Sequence, residues 1–131
     1  MLKKMSKKYK SAWEIFTDKK ELKIAEKIQQ RRYQMLIHSC IYYKLNDNYI
    51  SDAQWNEWAH ELANLQDTYP EISSKVTLYE YFKDWDGSSG AFLPLDLDWV
   101  IWKAKMLLQR KGHTNLFNVA VKQTTKKKKL F

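Results

Sequence analysis

The chain has 131 residues, 44% hydrophobic and 15% aromatic, which suits one modest core and excludes a mainly disordered protein. No apolar run approaches the ~20 residues of a membrane span. The lysine-rich start lacks the apolar stretch of a secretory signal, and the lone Cys40 has no internal disulfide partner, so a cytoplasmic protein with no membrane association is expected.

The formal net charge of +8 sits at the ends. Residues 1–10 and 122–131 each carry five lysines and no acidic residue, so setting those ten aside leaves −2 for residues 11–121. The body as a whole does not read as a phosphate-binding surface. This divides the chain into a basic, flexible N-terminus (1–10), a helical domain (11–112) and a C-terminal segment with a basic tail (113–131).

"SAWEIF" (11–16) carries three large apolar groups and predicts a short helix or turn docked on the core. Thr17 or Asp18 caps the next helix, with Glu21 at capping-box spacing from Asp18. From Lys19 to about Leu45 neither Gly nor Pro interrupts the chain. Leu22, Ala25, Ile28, Met35, Ser39 and Tyr42 recur at threes and fours, with one double step from Ile28 to Met35, which predicts a long helix. "NDNY" breaks it. Ser51 caps a second helix, with Gln54 at N3 and a stripe of Trp55, Trp58, Ala59, Leu62, Leu65 and Tyr69; Pro70 stops it. So short a connection predicts an antiparallel hairpin. Ser73 or Ser74 is expected to cap a third helix through "KVTLYEYF", and Asp96 or Asp98 a last one, ended by Gly112. The fold class is all-α, with four or five helices of unequal length.

Five aromatic side chains crowd residues 38–58. In a hairpin Tyr42 and Trp55 come near each other, and Asp52 and Asn56 lie one turn apart on the second helix. Two aromatic faces beside a carboxylate and an amide can sandwich a planar, amide-bearing ring. Alternatively, Trp55 simply begins a core stripe.

Residues 29–73, "QQRRYQMLIHSCIYYKLNDNYISDAQWNEWAHELANLQDTYPEIS", resemble the N-terminal Ia subdomain of bacterial NAD-dependent DNA ligases. The likeness rests on "YY" at 42–43, "ISDA" at 50–53, the aromatic at 55 and "YPE" at 69–71. It implies a helical hairpin that holds the nicotinamide mononucleotide half of NAD. By the same resemblance Tyr42 and Trp55 would stack on the nicotinamide, with Tyr43, Asp52 and Asn56 completing the site. Tyr43 stands where the ligases commonly have histidine, and Asn56 where they have aspartate. Asn still offers a carboxamide both a donor and an acceptor.

Ligase chemistry itself is not expected. It needs a K-x-D-G lysine nucleophile on a larger domain, and "KDWDG" (83–87) has one residue too many. The loop "DWDGSSGAF" reads as a turn whose Asp and Ser side chains satisfy its own backbone; an anion nest is the alternative. Stretches like "DGSSG…LP" resemble those of small phage proteins that carry the Ia-like hairpin, which implies phage origin and the host-cell cytoplasm. No metal site is expected: His38 and Cys40 point different ways on a helix, and His60 and His113 lack ligand-spaced neighbours. Each histidine reads as a surface or capping residue.

The chain is therefore expected to be a non-catalytic binding protein that requires no cofactor. It either binds a nicotinamide nucleotide (NAD or NMN) or engages a host protein such as a defence factor or ligase, for which its six Trp and eight Tyr suit it. The alternative is a nucleic-acid accessory protein in which Lys126, Lys127, Lys128 and Lys129 give weak, sequence-independent attraction.

Overall fold

The computed structural model describes residues 12–111, and every described element is helical, as the periodicity predicts. In chain order these are α1 (Ala12–Ile15), α2 (Lys19–Tyr43), α3 (Asp52–Thr68), α4 (Pro70–Lys75), α5 (Tyr79–Phe82) and α6 (Asp98–Lys111). The basic ends, Lys126 to Lys129 among them, and the expected stop at Gly112 lie outside the described residues. Among the described residues no helix is long and apolar enough to cross a membrane.

The chain forms two compact units. Unit 1 takes the residues up to Tyr33 and Asn56–Ser88; unit 2 takes Gln34–Trp55 and the residues from Ser89 onward. Unit 1 buries Phe16, Ala25, Ile28, Ala59, Leu62, Ile72, Val76 and Phe82. Unit 2 buries Met35, Leu36, Cys40, Ile41, Leu93, Leu95, Val100 and Ala104.

Capping residues set the helix starts. Asp18 accepts the Glu21 N–H at 3.3 Å ahead of α2, and Ser51 Oγ accepts the Gln54 N–H at 3.0 Å ahead of α3. Pro70 ends α3 but also begins α4, at a first-turn position where its missing N–H costs nothing. The third helix therefore starts earlier than Ser73, and "KVTLYEYF" is split. Val76 is extended and Leu78 takes φ 72°, so the backbone turns before α5.

Ser73 does not cap; it is buried inside α4 and accepts from Arg32. Arg32 is fully buried and occupies the position skipped between Ile28 and Met35 in the α2 stripe. Its Nε donates to Gln66 Oε1 (2.8 Å) and its Nη1 to the carbonyls of Val76 (2.9 Å) and Thr77 (2.8 Å). Its Nη2 donates to the Ser73 carbonyl (3.1 Å) and hydroxyl (2.7 Å). All five N–H donors are thus used, three of them on carbonyls of α4 and its exit; the Ser73 carbonyl also accepts the Val76 N–H at 3.2 Å. Tyr79 and Phe82 lie 5.9 and 5.8 Å from the guanidinium. Burial pushes Arg32 down to about 10, so it stays charged at neutral pH.

The loop after α5 satisfies itself. Asp86 Oδ1 accepts the Ser88 N–H (2.9 Å) and hydroxyl (2.7 Å), which holds its carboxyl below the usual range, and Ser89 Oγ accepts the Ala91 N–H. Gly87 is in the left-handed region at φ 85°, with the Ala59 carbonyl 3.0 Å from where a Cβ would stand. This is the turn read from the sequence. Lys83 of "KDWDG" is exposed and pairs with Glu80 at 3.4 Å.

Candidate functional site

The end of α2 and the start of α3 carry most of the residues singled out in the sequence. The connection is built by its backbone. The Lys44 and Leu45 N–H groups reach the Cys40 carbonyl, Asn46 takes φ 53°, and the Asp47 N–H returns to the Ile41 carbonyl at 3.1 Å. Asp47 Oδ1 then accepts the Asn48 N–H at 2.7 Å. Asn and Asp tolerate the left-handed region and close such turns with their own side chains. No aromatic residue takes part in these bonds.

The tyrosines are instead presented outward. Tyr42 and Tyr43 are 37% and 43% exposed, with their rings edge to face at 4.9 Å and 87°. The Tyr43 hydroxyl lies 3.4 Å from Ser89 Oγ. Tyr49, also 37% exposed, sets its ring 5.8 Å from that of His38. His38 is buried rather than a surface or capping residue, and burial pushes its imidazole down to about 4, so it is neutral at pH 7. Its place beside Ser39 and Cys40 on the inward side of α2 explains the difference.

Trp55 is half-buried in the first turn of α3. Its indole Nε1 donates to Ser39 Oγ at 3.2 Å. Gly90 approaches the same pair. A Cβ there would overlap the Ser39 hydroxyl and stand 3.2 Å from Trp55 Cζ2. Unit 2 therefore covers part of the indole perimeter with its own chain. Ser39 was read only as a member of the α2 stripe, and Gly90 only as part of a loop; that they meet Trp55 gives no signal until the neighbours are known. Asp52 is exposed in the first turn of α3, where a carboxylate complements the helix dipole. Asn56, the first α3 residue of unit 1, is exposed as well.

Cys40 is buried, and burial pushes its thiol up, away from thiolate reactivity. Lys44, on the turn that leaves α2, reaches Asp96 at 3.0 Å in an exposed pair. Among the described residues no group of three or more His, Cys, Asp or Glu gathers as metal ligands would. Compared with protein-family models, curated proteins and solved structures, the chain matches none.

Proposed function

We propose that the protein is a non-catalytic binding protein that engages a partner protein through Tyr42, Tyr43 and Tyr49. The carrying observation is that these three side chains are exposed together around the turn between α2 and α3. Tyrosine offers a large, rigid contact with a polar tip and little entropy to lose, which is why it is enriched at interfaces. A host protein is the expected partner, with a host ligase or a defence factor first in line on the ligase-like pattern of residues 29–73.

The test compares the chain with a Tyr42→Ser/Tyr43→Ser/Tyr49→Ser variant whose melting temperature is checked first. A protein captured by the wild type is purified and its Kd measured against both. Loss of more than tenfold in the variant supports the reading, and equal affinity overturns it.

Binding of a nicotinamide nucleotide is the second reading. It is supported by the exposed Asp52 in the first turn of α3 and by the accessible Tyr42 ring, both in unit 2. Trp55, partly covered by Ser39 and Gly90, would contribute the exposed part of its indole and Tyr43 its phenol. Calorimetric titration with NMN and NAD decides it. Heat that disappears in Tyr42→Ala supports binding, and no heat or thermal stabilisation at millimolar ligand removes it.

A further inference from the structure

Helix α6 divides its residues by face. Val100 and Ala104 are buried, and Ile101, Leu107 and Leu108 are half-buried. Trp102 and Met106, one turn apart, are 60% and 40% exposed on the opposite side. Lys103, Lys105 and Arg110 are exposed around them. The ion pairs Arg31–Glu61, Lys44–Asp96 and Lys83–Glu80 involve none of these three cations. The near-neutral average of the body conceals this segregation. From residue 99 to the end the chain carries nine lysines and arginines and no Asp or Glu.

We infer that the outward face of α6 is a binding site for single-stranded nucleic acid. Trp102 stacks on an unpaired base, and Lys103, Lys105 and Arg110 hold phosphates on either side of it. An exposed indole among cations is the pairing such strands require: the ring takes any base by its flat face, and the cations follow the backbone. The stretch from 102 to 110 spans roughly 12 Å of helix. A bilayer is a poorer match, because the aliphatic residues of α6 already face inward, leaving one ring and one thioether to insert. A duplex keeps its base faces stacked and gives the indole nothing to cover.

Fluorescence anisotropy of a labelled oligothymidine with the full chain tests the assignment, at 50 and 200 mM NaCl. Binding at 50 mM should weaken about tenfold in Trp102→Ala and be largely kept in Trp102→Tyr. Lys103→Ser/Lys105→Ser/Arg110→Ser should flatten the dependence of log affinity on log salt by about two. Far-UV circular dichroism and melting temperature verify that each variant is folded; the exposure of all four side chains makes that the expected result. Four outcomes overturn the proposal: no binding at 50 mM, equal affinity of Trp102→Ala and wild type, equal affinity for the matching duplex, or preference for phosphatidylserine vesicles over the oligonucleotide.

Discussion

Arg32 carries its charge inside unit 1 among carbonyls, a hydroxyl and an amide. Its removal takes the donor from the Val76 and Thr77 carbonyls and leaves the Ser73 carbonyl with only the Val76 N–H, so Arg32→Ala should cost roughly 3 kcal/mol in urea unfolding. Arg32→Lys should recover less than half of that, since a rotating ammonium cannot aim five donors in a planar fork. Unit 2 has its own titrating residue. His38 is neutral when folded, with its pKa near 4, while an unfolded histidine takes a proton near 6.5. Above 6.5 both states are neutral and the stability is intact. Between 6.5 and 4 the unfolded chain binds the extra proton, and stability falls by up to about 3 kcal/mol; below 4 the loss from this group is complete. Urea midpoints measured from pH 7 to pH 4 should drop more steeply for the wild type than for His38→Gln. Parallel curves would mean that His38 is not the group responsible.

At the level of elements, caps and close approaches decide where helices start and how tightly they pack. Ser51→Ala removes the oxygen that receives the Gln54 N–H and should lower stability by about 1 kcal/mol. Gly90→Ala forces a methyl group onto Ser39 and toward Trp55 and should cost about 1–3 kcal/mol, read as a lower melting temperature with a blue- or red-shifted Trp emission. The starts of α2, α3 and α6 were legible because Asp18, Ser51 and Asp98 stand directly before or at them, unlike that of α4 at Pro70, and the apolar spacing of α2 and α3 predicted most of the buried positions. Two kinds of feature were not legible. The skipped position in the α2 stripe reads as polar, yet it is Arg32, whose partners lie 34 to 45 residues away. Tyr42 continues the stripe by spacing yet is exposed, because α2 ends one residue later and the helix no longer has a core beneath it. For the residues of the candidate site, only their order around the turn could be read in advance; that Trp55 rests on Ser39 and Gly90 depended on a loop 35 residues further along.

Across the whole molecule, α2 and α3 are each divided between the two units, whereas α6 lies wholly in unit 2. A helix propagates cooperatively and resists ending midway. Unfolding followed by far-UV circular dichroism and by Trp fluorescence should therefore superimpose as one transition. Two separated midpoints would show that the units melt independently. Charge is arranged on the same scale: every Asp and Glu lies between Glu14 and Asp98, and the sequence on either side of that stretch carries only bases.

The Arg32 anchor also constrains the order of assembly. A six-residue helix such as α4 is too short to persist by itself in water. Its final carbonyls wait for a donor supplied from 41 to 45 positions earlier. Closing that wide circuit delays the segment until the middle of α2 has wound, so α4 and α5 should be the last parts of unit 1 to mature and the first that a protease finds open.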